Sequence, residues 1–251
     1  MNSSAAWKKL QRSNLAKTPA KEELSQSNLS SFESQRGFTL IEILVVVIII
    51  GVLAAIAGPG WISFVNQRRV GAANDLILRS LQDAQSQAKR KKVSYSVSFR
   101  TPPGQAPQIA VYPTKKLDAK GDSKDVDPTK PTDLNPSAWK SFSQDLGIKP
   151  GQVILGTNLD GQNQGKTSVV YNPTSGTNKI TFDYMGTLQP PPPATALSLT
   201  DAPLTVVVGI PRGSVPIEST VRCVQVRTLL GSMTTGRGKL DASRNPQGCP
   251  I

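Results

Sequence analysis

The sequence predicts an α+β protein in which one long N-terminal helix packs on a β-sheet-rich C-terminal head. Three observations carry this. From Phe38 to Ala57 the chain is a 20-residue, almost wholly apolar run. Beyond it, Val70, Ala73, Ile77, Leu81, Ala84 and Ala88 recur at a spacing of three or four, the period of one helix face. From Val93 the period drops to two, and short β-type segments separated by Gly and Pro follow to the C-terminus.

The apolar run is long enough for a membrane. At about 1.5 Å per residue it spans roughly 30 Å as a helix, the thickness of a bilayer's hydrocarbon. Glu42 does not belong in oil: an ionised carboxylate there costs several kcal/mol unless neutralised or paired, which marks it as a functional residue. Residues 1–36 are rich in Ser, Asn, Gln, Lys and Glu and read as a disordered leader. Six basic residues precede the run, against Arg68, Arg69 and Arg79 in the stretch after Gly60. This bias favours a cytoplasmic N-terminus in the inner membrane, with the head periplasmic or extracellular.

Gly58-Pro59-Gly60 interrupts the helix, since Pro59 removes a backbone donor and clashes with the preceding turn. An amphipathic helix then runs from about Trp61 to Lys92. Arg68, Asp75, Arg79, Gln82, Ser86 and Arg90 lie opposite its apolar stripe. Lys89-Arg90-Lys91-Lys92 falls in the last turn, where cations complement the helix dipole.

In the head, Val93, Tyr95, Val97 and Phe99 alternate with Ser94, Ser96 and Ser98, the pattern of a half-buried strand. Further strands are expected at Ile109–Tyr112, Val153–Leu155, Ser168–Tyr171, Ile180–Tyr184, Leu204–Ile210 and Val221–Val226. Residues 113–150, with five prolines, read as loop. Pro190 to Pro193 read as a stiff polyproline connector.

Composition narrows the chemistry. The formal charge of the 251-residue chain is +12, of which +3 resides in residues 1–37, so anionic partners are favoured without a choice among them. There is no histidine, which excludes His-activated nucleophiles and His-dependent metal sites. Asp118, Asp122, Asp125 and Asp127 miss the EF-hand spacing and are interrupted by Lys120 and Lys124, so no metal is expected. Gly161 to Thr167 has three residues between its glycines where a phosphate-binding loop needs four, and a strand pattern follows it. No cofactor and no catalytic constellation is expected, and the chain is read as a non-enzyme.

Arg36-Gly37-Phe38-Thr39-Leu40-Ile41-Glu42 followed by the apolar run resembles the type IV prepilin processing signal. That signal is shared by pilins, minor pilins and type II secretion pseudopilins. The resemblance implies cleavage between Gly37 and Phe38 by a membrane-embedded prepilin peptidase, and N-methylation of the new Phe38 amine. It divides the chain into a cleaved leader (1–37), a transmembrane and filament-core helix (38–60), an amphipathic helix (61–92) and a head (93–251). Pro59 falls where family members carry a helix-bending proline. An ordinary signal anchor would explain the run but not Glu42 or the Gly37-Phe38 junction. A cleavable secretory signal fits worse, because the run is too long and no Ala-x-Ala site follows.

The segment Ile180–Leu188, then Leu204–Ile210 and a basic, Gly-containing C-terminus resemble the FimT/GspH branch of minor pilins. This implies a structural minor subunit of a type IV pilus or type II secretion pseudopilus, with other pilin subunits as partners. The alternatives are a tip module that captures DNA and a major pilin. Gly236-Arg237-Gly238-Lys239 reads as a basic turn resembling a DNA-contacting element of that branch, with Lys239 where the element has Arg. Arg222, Arg227 and Arg244 would add phosphate contacts; surface charge or subunit contact is the competing reading. Cys223 and Cys249 are the only cysteines and face an oxidising compartment in the orientation above, so a disulfide between them is expected.

Overall fold

The computed structural model describes residues 37–118, 120–191, 203–240 and 246–247. The chain separates into two compact units, Met1–Ile50 and Gly51–Ile251. The leader (1–36), Cys249 and Arg244 lie outside the described residues, as do Pro192 and Pro193 of the connector. Helix α1, Leu40–Lys91, runs through the boundary between the units.

In the first unit, residues 37–39 precede the helix and are not helical. Thr39 caps α1: its carbonyl accepts from Ile43 N at 3.2 Å, and its Oγ1 accepts from Glu42 N at 3.2 Å. A threonine hydroxyl at this position satisfies one of the first-turn amides that have no partner within a helix. Every residue from Leu40 to Ile50 is exposed.

The second unit holds the rest of α1 and the head. Its strands are β1 (Tyr95–Arg100), β2 (Gln108–Pro113), β3 (Trp139–Ser141), β4 (Ile154–Leu159), β5 (Gly165–Tyr171), β6 (Lys179–Phe182), β7 (Leu204–Gly209), β8 (Arg222–Val226) and β9 (Met233–Arg237). They form two antiparallel sheets, ordered β3-β2-β1-β6 and β9-β8-β7-β4-β5. A short helix, α2 (Phe142–Leu146), follows β3. Small hairpins join Lys115–Leu117 to Ser123–Asp125, Pro211–Arg212 to Val215–Pro216, and Lys239–Leu240 to Pro246–Gln247.

The helix stripe read from the sequence is the stripe that is buried: Val70, Ala73, Ile77, Leu81, Ala84 and Ala88 are inaccessible to solvent. The six polar residues assigned to the opposite face are exposed. The stripe joins one core with Tyr95, Val97, Phe99 and Ile109 of the first sheet and Leu155, Val206, Val208, Val224 and Val226 of the second. Three alanines in the stripe let strand side chains approach the helix axis, while Ile77 and Leu81 supply its volume. Gln85 secures the packing: its Nε2 donates to Gly186 O at 2.8 Å and Leu230 O at 3.2 Å, two separate turns of the head.

Two expectations are corrected. Ser96 and Ser98 were expected to face water, but both are fully buried, while Val93 is exposed. The stretch 113–150 is not simply loop: it contains a hairpin, β3 and α2, and its residues cover the second face of the first sheet. There Ala110, Tyr112, Val126, Leu134 and Trp139 form a separate apolar cluster. The serines are tolerated because each finds a hydroxyl partner. Ser96 Oγ lies 3.0 Å from Thr114 Oγ1 and 2.9 Å from Thr181 Oγ1, and Ser98 Oγ lies 2.8 Å from Tyr112 Oη. Burial pushes the Tyr112 phenol up to about 12, although the Ser98 contact opposes the shift.

The rejected phosphate-loop segment has a structural use. Asn163 is buried; its Nδ2 donates to Thr181 O and Gln189 O, each at 2.7 Å, and its Oδ1 accepts from Thr181 N at 2.7 Å. The turn therefore ties β6 to its neighbours.

Candidate functional site: the helix start and the head's basic elements

The start of α1 places an exposed, non-helical Gly37-Phe38 junction just before the helix and Glu42 in its first turn. Gly37 and Phe38 are exposed, and no atom lies within 4 Å of the place a Gly37 β-carbon would occupy. Glu42 lies in the first helical turn, where a carboxylate complements the positive end of the helix dipole. Thr39 and Glu42 also form the Thr-x-x-Glu pattern of a capping box, of which the threonine half is made. The sequence reading missed Thr39 as a cap, although the four-residue pattern was there to be read. Glu42 thus has a local role in starting the helix besides any role between chains.

The apolar side chains of Leu40, Ile43, Leu44, Ile48, Ile49 and Leu53 are all exposed. No single described helix is long and apolar enough to cross a membrane; Leu40–Ile56 together with Gly60–Lys91 passes by length and composition as a bent pair. Nothing is described of the Pro59 side chain.

In the head, the second sheet brings Arg237 opposite Arg222 in the β8–β9 register. Gly236 and Arg237 end a strand rather than forming the turn read from the sequence; Gly238 then donates to Val221 O at 3.1 Å before the strand Lys239–Leu240 begins. Arg237 and Arg227 are exposed. The Arg222 guanidinium reaches α1, 3.8 Å from the place a Gly71 β-carbon would occupy. It lines a cavity of about 380 Å³ with Phe64, Arg68 and Asp75. Cys223 is fully buried on the opposite face of β8, with Val207 and Val221. Its expected partner lies outside the described residues.

The loop aspartates serve local structure. Asp118 Oδ1 accepts from Lys120 N at 2.8 Å and Asp122 N at 2.9 Å. Asp133 pairs with Lys116 at 3.0 Å, and this contact holds its carboxyl below the usual carboxylate range. Among the described residues no group of His, Cys, Asp or Glu side chains is arranged to hold a metal ion.

In the first unit the start of α1 is apolar and exposed, and in the second the buried stripe of α1 shares a core with the β-rich head. A family model described as the prokaryotic N-terminal methylation motif matches residues 34–58. The chain therefore carries the type IV prepilin signature at residues 34–58. The motif implies processing by prepilin peptidase, a membrane-anchored N-terminal helix and assembly with other pilins, and its family is structural rather than enzymatic. No curated protein and no solved structure matches the chain.

Proposed function

We propose that the protein is a minor structural subunit of a type IV pilus or a type II secretion pseudopilus. Prepilin peptidase cleaves between Gly37 and Phe38, and the Phe38 amine is methylated. Residues 38–60 hold the subunit in the inner membrane until assembly and in the filament core afterwards, with Pro59 bending the helix. The amphipathic segment 61–92 carries the head, 93–251, on the far side of the membrane.

The observation that carries this reading is the uncovered apolar surface of Leu40–Ile56 directly after an exposed, non-helical Gly37-Phe38 junction. Apolar side chains in such number are covered in use, first by lipid and then by the helices of neighbouring subunits. Glu42 directs that exchange. Its charge needs a partner in the bilayer, and the amine of Phe38 on a neighbouring, axially staggered chain supplies one. Glu42→Gln keeps the size and polarity and removes the charge. The variant is inserted and cleaved but recovered poorly in sheared filaments; wild-type incorporation at equal membrane abundance refutes the pairing role.

A second reading, capture of DNA by the head, draws support from exposed Arg237 at a sheet edge in register with Arg222. The occupation of Arg222 by α1 weighs against a wide phosphate-binding surface.

A further inference from the structure

The C-terminal end of α1 opens onto a cavity of about 400 Å³ whose lining includes Lys92, Val93, Lys115, Leu117 and Tyr184. The apolar side chains are not tucked away: Leu117 is 71% exposed, Tyr184 52% and Val93 46%. Met185, next in the chain, is also exposed. The Gln85 amide, bonded to both Gly186 O and Leu230 O, places exposed Leu230 beside the same turn.

The rim is cationic. Among the described residues, Lys92 and Lys115 form no ion pair, and no carboxylate lines the cavity. Asp125 is the cross-strand neighbour of Lys115 but makes no ion pair with it. Lys116, by contrast, is engaged by Asp133. Lys92 also holds a left-handed backbone conformation, φ 56°, at the position after the helix where glycine is the usual residue. A lysine there costs about 1 kcal/mol that glycine would not.

We propose that this cleft is a docking site for an acidic segment of a partner protein that carries apolar side chains between its carboxylates. The exposed apolar side chains and the unpaired lysines beside them select this chemistry over a plain polyanion, which would leave Leu117 and Tyr184 uncovered. The position selects a protein over the anchoring bilayer. Between Gly60 and Lys91 the helix rises roughly 45 Å, several times the screening length of about 8 Å at physiological salt. Lipid charge at the end of the apolar run is not felt there. The inference does not require that the chain enter a filament.

The test uses the full chain in zwitterionic detergent and fluorescence anisotropy. The probe is a labelled peptide of alternating leucine and glutamate, with leucine–lysine and serine–glutamate peptides as controls. The leucine–glutamate peptide binds and both controls bind at least tenfold more weakly. Lys92→Gly combined with Lys115→Ala weakens binding about tenfold, from two charge pairs near 0.7 kcal/mol each. Glycine suits the backbone at position 92, so loss of the fold does not explain the loss of binding; an unchanged melting temperature checks this. Leu117→Asp weakens binding by a similar factor while leaving the rim lysines in place. Equal binding of either control peptide, or unchanged affinity in both variants, overturns the proposal. Displacement by short-chain phosphatidylglycerol at the same concentration as unlabelled peptide also overturns it, and identifies an anionic-lipid site instead.

Discussion

Replacing Leu81 by alanine tests whether α1 and the head are one cooperative structure. Leu81 is fully buried and, with Ile77, is one of the two largest inaccessible side chains on the helix. The substitution removes three carbons, worth about 2.4 kcal/mol of transfer free energy at about 0.8 kcal/mol each. The strands around Leu81 are held by ladder hydrogen bonds and collapse little into the space. A cavity term brings the expected loss to about 3–4 kcal/mol, within the range measured for buried leucines. In a domain of this size that lowers the melting temperature by about 6–16 °C. Gln82→Ala, one residue along and exposed, shifts stability by no more than about 0.5 kcal/mol. Near-UV circular dichroism of the full chain in detergent follows the head, where Trp139 is buried, and not the helical content of the apolar half. Equal melting temperatures for Leu81→Ala and Gln82→Ala would refute the claim that the stripe is part of the head's core.

Three further outcomes follow from particular residues. The Tyr112 phenol is raised in the folded state, so its contribution is whole below pH 10 and is lost as pH rises through 10 towards about 12, a change of about 3 kcal/mol. Denaturant midpoints on either side of pH 10 should fall for the wild type and far less for Tyr112→Phe; equal falls exclude Tyr112 as the source. Cys223 and Cys249 should be joined, worth about 3–4 kcal/mol in the chain-entropy account, and intact mass with and without reductant decides it, two free thiols being the contrary result. If the head holds DNA through Arg237 and Lys239, replacing both by alanine lowers retention at low salt, whereas unchanged retention removes that reading.

The helix was legible because one physical constraint, burial on one side, writes a period of three to four into the sequence, and all six stripe positions obey it. The first sheet was harder to read because it is buried on both faces. Ser96 and Ser98 look solvent-facing by type, and only their Thr114, Thr181 and Tyr112 partners make burial tolerable. Those partners are distant in sequence, and no local pattern announces them. The stretch after Pro113 carries turn-forming residues, yet Val126, Leu134 and Trp139 are spaced to reach one cluster across the sheet. Strand β9, Met-Thr-Thr-Gly-Arg, lacks apolar alternation because it is an edge strand with little of its surface in the core. At the site, Glu42 could be singled out from residue type alone, and the Gly37-Phe38 junction from the resemblance of residues 36–42 to the prepilin signal. The Thr39 cap was equally local and was overshadowed by the apolar run beside it.

The central claim is that the chain is a processed, membrane-anchored subunit, and the N-terminus of the mature protein tests it most directly. Protein purified from membranes is subjected to N-terminal sequencing and intact mass measurement. The account predicts a chain beginning at Phe38, with residues 1–37 absent and a methyl group on the Phe38 amine. A chain that retains the leader, or one cut at any other bond, contradicts it.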